Sequence, residues 1–90
     1  MLTRAIMTIS GRVQGVFFRD EAQRKAYSLD LKGFARNEPD NGLRIEAEGP
    51  EEDVKKFVEW CRRGPALARV SDFSVDYSDE LKDYPSFEML

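Results

Sequence analysis

The sequence predicts an α+β fold with the element order β-α-β-β-α-β. Several short segments alternate apolar and polar residues, which is the period of a half-buried strand. Two longer segments carry apolar residues at steps of three and four, which is the period of one helix face. Turn-forming glycine, proline and asparagine separate these segments. The 90 residues form one domain, which we place at residues 1–90.

The first strand and the first helix flank a glycine-containing loop. Alternation over Ala5–Ser10 predicts the strand, and the loop Gly11–Arg19 follows it. Apolar residues at steps of four, four and three then indicate the helix: Phe18, Ala22, Ala26 and Leu29. Asp20 and Glu21 suit its first turn, because acidic groups interact favourably with the positive end of the helix dipole. The helix is expected to end near Asp30.

A hairpin is predicted next. Gly33–Asn37 and Leu43–Glu48 form the second and third strands, and the third alternates cleanly between apolar and charged residues. The segment Glu38–Gly42 between them contains Asn-Gly, a pair that adopts positive φ readily and is typical of tight turns. The two strands should therefore run antiparallel.

A second helix follows the hairpin. The segment Gly49–Asp53 combines a proline with three acidic residues, as helix starts do, and Gly64-Pro65 ends the helix. Its buried stripe is expected to contain Val54, Phe57, Val58 and Cys61, with Trp60 at the border.

The fourth strand is marked by four apolar residues: Val70, Phe73, Val75 and Tyr77. The step of three from Val70 to Phe73 breaks the alternation and predicts a β-bulge near Ser71-Asp72. Ser78–Pro85 is a polar connection. Phe87 and Met89 are compatible with a short C-terminal edge strand.

These elements predict a ferredoxin-like split βαβ arrangement. Two right-handed crossovers around a central hairpin give a four-stranded antiparallel sheet with two helices on one face. This fold hosts many unrelated functions, so the function must be argued from a site.

Composition excludes several kinds of chemistry. The chain has no histidine and one cysteine, which removes His-based acid–base catalysis, disulfide frameworks and the usual zinc and iron sites. We therefore expect no metal and no cofactor. Without an apolar segment of membrane-spanning length or a signal-peptide pattern, a cytoplasmic location and no membrane partner are expected. The net charge of −3 argues against nucleic-acid binding, although the cationic first third could concentrate a small anion.

The Gly11–Arg19 loop is the candidate functional site. At a helix start the first N–H groups lack partners and the helix dipole adds positive charge, so an arginine there suggests a phosphate-like ligand. A P-loop is excluded, because only three residues separate Gly11 from Gly15 and no Lys-Ser/Thr follows. An RNA-recognition signature would fall at Lys32–Ala35, on the second strand instead of the third, and is not supported.

Val13–Arg19 reads V-Q-G-V-F-F-R and closely resembles the signature loop V-Q-G-V-x-F-R of the acylphosphatase family. The similarity continues through residues that match the family's A-x-x-L-x-L-x-G and its following N: Ala26, Leu29, Leu31, Gly33 and Asn37. It extends to a pattern of G, E-G-P, F-x-x-W and G-P: Gly42, Glu48, Gly49, Phe57, Trp60, Gly64 and Pro65. The resemblance thus covers essentially the whole domain.

The resemblance implies hydrolysis of acyl phosphates to a carboxylate and inorganic phosphate by direct attack of water, without a metal or a covalent intermediate. It assigns phosphate binding to Gln14, Gly15, Val16, Phe17, Phe18 and Arg19. Backbone N–H groups would hold the phosphate, and the planar guanidinium of Arg19 would clamp it with two parallel hydrogen bonds. Asn37 would orient the attacking water. The implied partners are a small acyl phosphate and product phosphate, and we expect a monomer.

Alternatives stay open at this point. A non-catalytic phosphate-binding or protein-interaction domain on the same scaffold could keep the loop without turnover. Locally, Arg19 could be a solvated arginine and Asn37 a turn residue. Two features depart from the family pattern: Asp30 stands where glycine is frequent, and the turn Glu38–Asn41 is slightly longer than usual, which could shift Asn37. Few side chains of the motif can contact the acyl group, so broad acyl tolerance is expected.

Overall fold

The computed structural model describes residues 1–90 and contains five strands and two helices. The strands are β1 (Leu2–Arg12), β2 (Lys32–Asn37), β3 (Leu43–Pro50), β4 (Arg69–Ser78) and β5 (Phe87–Met89). The helices are α1 (Phe18–Ser28) and α2 (Glu51–Arg63). Neither helix has the length and apolar character needed to cross a membrane.

The strands form one sheet in the order β4-β1-β3-β2-β5, which confirms the ferredoxin-like split βαβ fold. The first four strands are antiparallel to their neighbours, as predicted. β5 adds a fifth strand that runs parallel to β2, so the complete sheet is mixed. The connection before β5 crosses from the β4 edge to the β2 edge of the sheet.

The hydrophobic core lies between the helices and one face of the sheet. Alternate residues of the two central strands point into it: Ala5, Met7, Ile9, Leu43, Ile45 and Ala47. Val54, Phe57, Val58 and Cys61 supply the α2 side, as the helical period predicted, and Trp60 packs against its border. Burial raises the pKa of the Cys61 thiol well above its ordinary value, so this cysteine stays a neutral core residue.

The predicted β-bulge is present in β4. Ser10 pairs with Asp72 and Gly11 pairs with Val70, which leaves Ser71 without a partner on β1. A Cβ atom on Gly11 would lie 2.2 Å from the main-chain oxygen of Arg69, so only glycine fits here. β1 therefore continues through Gly11 to Arg12, two residues past its predicted end, and delivers the chain to the start of α1.

Asp30 lies just beyond the end of α1 with a φ of 57°. This is the left-handed conformation that glycine adopts readily. Aspartate tolerates it better than most residues, because its short side chain can form local hydrogen bonds. The departure from glycine is thus accommodated in the backbone.

The face of the sheet opposite the helices is covered by the connection from β4 to β5. Arg4 of β1 donates a hydrogen bond to the main-chain oxygen of Glu80 at 2.9 Å. Glu48 of β3 accepts bonds from the N–H groups of Lys82 at 2.8 Å and Tyr84 at 3.1 Å. The N–H of Gly33 on β2 donates to Ser86 at 3.0 Å. The connection is held by β1, β3 and β2 in turn.

Glu46 is the centre of a buried polar cluster beneath this connection. Its carboxylate lies 2.6 Å from the guanidinium of Arg4, and their side chains are 6% and 9% exposed. Arg44 approaches it at 2.7 Å, and the hydroxyl of Tyr84 donates to it at 2.8 Å. Burial acts to raise the pKa of Glu46, but the hydrogen bonds from Tyr84, Arg44 and Arg4 outweigh it, and the pKa is lowered.

The same environment affects Tyr84. Burial and the hydrogen bond to Glu46 raise the pKa of Tyr84 to about 12, so its hydroxyl keeps its proton and remains a donor. Glu46 therefore stays ionised and fully hydrogen-bonded, and no buried side-chain polar atom of the protein lacks a partner.

Replacing Glu46 by glutamine should destabilise the fold by about 3 kcal/mol, because it leaves the buried Arg4 guanidinium without its counter-charge. Because the folded-state pKa is lowered, the contribution of Glu46 is complete above the ordinary glutamate pKa. It is lost as the pH falls through the lowered value, so the difference between wild type and Glu46→Gln should shrink there. Urea unfolding at several pH values between neutral and acidic measures the free energy of unfolding of both proteins.

Glu59→Gln is the matched control, because Glu59 forms an exposed pair with Arg62 at 3.5 Å. Its effect should stay within about 0.5 kcal/mol at every pH. Equal losses in the two variants would contradict a special role for Glu46.

Candidate active site

The candidate site begins in the β1–α1 loop, residues 13–17, where the strand turns into the helix. Val13, Val16 and Phe18 are 1%, 5% and 1% exposed and pack into the core. These three apolar anchors fix both ends of the loop against the sheet and α2. Gly15 has a φ of 73° and Phe17 a φ of 63°, so the backbone turns through two left-handed residues between the anchors.

The N–H groups of residues 14–20 donate to no acceptor within the protein. The first helical bond of α1 runs from the N–H of Glu21 to the main-chain oxygen of Phe17 at 3.0 Å, and Phe17 provides no side-chain cap. Side-chain acceptors receive backbone N–H bonds only from Gly42, Glu80, Lys82 and Tyr84. A run of free donors at a helix start is suited to an anion.

Gly15 and Phe17 both have a positive φ, for different reasons. A Cβ atom on Gly15 would meet nothing within 4 Å, so glycine is favoured there by its φ of +73° and not by lack of space. Phe17 takes a left-handed conformation as a bulky residue, which costs on the order of 1 kcal/mol. Strain of this kind is concentrated at ligand-binding sites.

Arg19 and Asn37 line the same cavity, whose volume is about 470 Å³. The cavity is lined by Val13, Gly15, Phe17, Phe18, Arg19, Asp20, Asn37 and Met89. Of the residues predicted to bind phosphate, Gln14 and Val16 do not line it. The side chain of Val16 is buried, and the free N–H groups are the part of both residues that is suited to an anion.

The guanidinium of Arg19 is oriented by the C-terminal strand. Its Nη1 donates a hydrogen bond to the main-chain oxygen of Leu90. The N–H of Leu90 in turn donates to the main-chain oxygen of Ala35 at 2.9 Å, two residues before Asn37 on β2. One peptide segment thus connects Arg19 to the strand that carries Asn37. Asp20 brings a carboxylate to the cavity, but Arg24 is paired with it at 3.6 Å.

Gln14 connects the loop to the turn that follows Asn37. Its side-chain nitrogen donates to the main-chain oxygens of Glu38 and Gly42, both at 2.9 Å. The turn is closed by a bond from the N–H of Glu38 to Gly42 at 2.8 Å. The side chain of Gln14 therefore holds the longer turn against the loop, and Asn37 still lies in the cavity with Arg19.

Met89 and Leu90 are site residues that the sequence reasoning missed. The alternation of Phe87 and Met89 indicated a strand but not its neighbour. Only the parallel pairing of Ala35 with Met89 brings the C-terminal strand beside Asn37.

Gln14→Ala should reduce the stability of the fold by about 1–2 kcal/mol, because the carbonyls of Glu38 and Gly42 each lose a donor. It should also weaken the binding of inorganic phosphate, since the loop is no longer held to the turn. Urea unfolding and phosphate titration measure the two effects. Ser28→Ala, which removes one exposed bond to Lys25, is the control and should change neither. Unchanged stability in Gln14→Ala would contradict this role.

Comparison with known proteins agrees with this geometry. The sequence model of the Acylphosphatase family matches residues 5–89. An acylphosphatase of Methylococcus capsulatus is 42% identical over 89 residues, covering 99% of this chain and 97% of the relative. The crystal structure of acylphosphatase from Bacillus subtilis superposes with a TM-score of 0.91 at 38% identity, covering 100% of this chain and 99% of the other.

A further structural neighbour is much longer. The crystal structure of full-length HypF in the phosphate- and nucleotide-bound form gives a TM-score of 0.90 at 32% identity, but only 12% of that chain is covered. The relatives that the chain covers over nearly their whole length are named acylphosphatases. The match over residues 5–89, together with the free N–H groups of the loop and the cavity that Arg19 shares with Asn37, shows that this chain belongs to the acylphosphatase family.

Proposed function

We propose that this chain hydrolyses acyl phosphates to a carboxylate and inorganic phosphate, by direct attack of water and without a metal ion. The observation that carries this proposal is the shared cavity, in which an arginine at a helix start and an asparagine at a strand end lie beside a run of free N–H groups. Family membership supports the same activity. Arg19 and Asn37 are the proposed catalytic residues.

The N–H groups of the loop and the Arg19 guanidinium would bind the phosphoryl group. The helix dipole disfavours a cation at the N-terminus of a helix. An anion bound between Arg19 and the N-terminus of α1 would offset this unfavourable interaction. Only one donor of the guanidinium is engaged by Leu90, which leaves the others available to phosphoryl oxygens. Charge that develops on these oxygens in the transition state would be stabilised by donors already in place.

Asn37 would hold the attacking water through its side-chain amide. An amide is a poor base, but phosphoryl transfer to water passes through a loose transition state that requires little proton removal. The leaving group is a carboxylate, which departs without protonation. The reaction therefore needs positioning and electrostatic stabilisation, which a site without histidine can supply.

The alternative, a domain that binds phosphate or a protein partner without turnover, is not favoured. The relatives that this chain covers almost completely are named acylphosphatases, and both proposed catalytic residues are present in one cavity. Phosphate binding without hydrolysis of acyl phosphates would support the alternative.

We also propose that this chain is a monomer located in the cytoplasm. The cavity of a single chain already contains Arg19 and Asn37, the two proposed catalytic residues. The single cysteine is buried and unpaired, in keeping with a reducing compartment.

Arg19→Ala and Asn37→Ala should each lower kcat for benzoyl phosphate by about 100-fold or more, the usual loss when one preorganised donor is removed. Lys55→Ala is the control: Lys55 lies on α2 outside the cavity, its side chain is 61% exposed, and its removal should leave kcat nearly unchanged. Near-wild-type turnover in both site variants would rule out the proposed roles.

Hydrolysis in ¹⁸O-labelled water should place the label in phosphate, because the proposed attack is at phosphorus. The rate should not change when a chelator is added, since no group of three or more His, Cys, Asp or Glu residues is gathered to hold a metal ion. Label in the carboxylate would show attack at the carbonyl carbon instead. Mass spectrometry of both products distinguishes the two.

A further inference from the structure

We propose that Phe17 and Met89 form an apolar subsite for the acyl group, so that the enzyme favours acyl phosphates with large apolar or aromatic acyl groups. This inference rests on the proposed hydrolysis of acyl phosphates and adds the class of substrate that the same site selects. Neither residue has been given a side-chain role in the chemistry above. The proposed selectivity replaces the broad acyl tolerance expected from the sequence, because Phe17 of the motif and Met89 both line the cavity.

The first argument is exposure. Phe17 and Met89 are 67% and 45% exposed, although both are large and apolar, and Phe17 also borders a second cavity beside Trp60. The other apolar residues of the cavity, Val13 and Phe18, are each 1% exposed and already packed in the core. Phe17 and Met89 therefore supply nearly all of the apolar side-chain surface that a bound molecule could cover.

The second argument is position. Phe17 precedes α1 directly, within the run of free N–H groups, while Met89 pairs with Ala35 on the strand that leads to Asn37. The phosphoryl group must lie near Arg19 and the free N–H groups, because these are the cationic and donor groups of the cavity. The acyl group extends away from the phosphorus, and the remaining lining of the cavity that suits carbon chains is the pair Phe17 and Met89.

The third argument is the backbone of Phe17. Glycine adopts the left-handed conformation at the lowest cost. Position 17 has this conformation, yet it is occupied by an exposed phenylalanine. The aromatic side chain contributes little to the core, so it gives the fold nothing that offsets the strain. Contact with a ligand is a use for the side chain that the fold itself does not provide.

The test compares kcat/KM for benzoyl phosphate with kcat/KM for acetyl phosphate. Using the ratio in each variant relative to wild type cancels the different intrinsic reactivity of the two compounds. Met89→Ala and Phe17→Gly should each lower the ratio by about three- to ten-fold, the range for losing a few methylene-sized contacts. Glycine accepts the left-handed backbone at position 17, so Phe17→Gly removes the side chain with little disturbance of the loop.

Three further measurements make the result specific. The inhibition constant of inorganic phosphate should stay unchanged in Met89→Ala, because phosphate has no acyl group. Leu2→Ala is the matched control, since Leu2 is 56% exposed on β1 and lies outside this cavity, and it should leave the ratio at the wild-type value. Met89→Leu keeps an apolar side chain of similar size, so it should keep most of the wild-type ratio.

The outcomes separate this inference from the proposed function. If wild type hydrolyses neither compound, the proposed function is wrong. If wild type hydrolyses both but the ratio is the same in Met89→Ala and Phe17→Gly, hydrolysis stands and the apolar subsite is overturned. A lowered ratio that is equally low in Met89→Leu would also overturn it, because apolar contact would then not be the cause.

Discussion

The carboxylates of Glu46 and Glu48 on β3 determine where the chain runs after β4. They hold the connection to β5 by its N–H groups and by the Tyr84 hydroxyl, on the face of the sheet that no helix covers. β5 follows this connection and pairs with β2, and its Phe87 is buried in the core against Phe57. One wall of the candidate site, on the C-terminal strand, is thus held both by the core and by ion pairs and hydrogen bonds on the opposite face of the sheet.

The other wall is set by apolar burial. Val13, Val16 and Phe18 anchor the β1–α1 loop in the core, and this fixes the backbone between them without using its N–H groups. A loop that satisfied its donors internally would be more stable and could not bind an anion. The core therefore stabilises an arrangement of the loop that local hydrogen bonding would not.

Much of this architecture is predictable from residue periodicity. The two helices, four strands and the bulge at Ser71 follow from apolar spacing, and the pairing of the Gly11–Arg19 loop with Asn37 followed from resemblance to a known motif. The direction and neighbour of β5 could not be predicted, because the polar segment before it has no periodic pattern. Its path depends on Arg4, Glu46 and Glu48, which are distant in sequence.

Contacts between residues distant in sequence also explain which features of the site were not predicted. Met89 and Leu90 enter the cavity region only through the parallel pairing of β5. Gln14 was predicted as a site residue, but its bonds to carbonyls 24 and 28 residues further along the chain were not. No local pattern in the sequence encodes such contacts. The candidate phosphate loop was recognisable because its motif is a short continuous segment.

The bond from Arg19 to the main-chain oxygen of Leu90 has an entropic consequence for catalysis. A free arginine loses the freedom of several rotatable bonds when it closes on a ligand, at about 0.5–1.5 kcal/mol for such a side chain. Here one hydrogen bond already restricts the Arg19 guanidinium in the resting protein. In the proposed reaction the incoming phosphoryl group would meet a guanidinium that is already partly oriented, so less of its interaction energy would be needed to order the side chain.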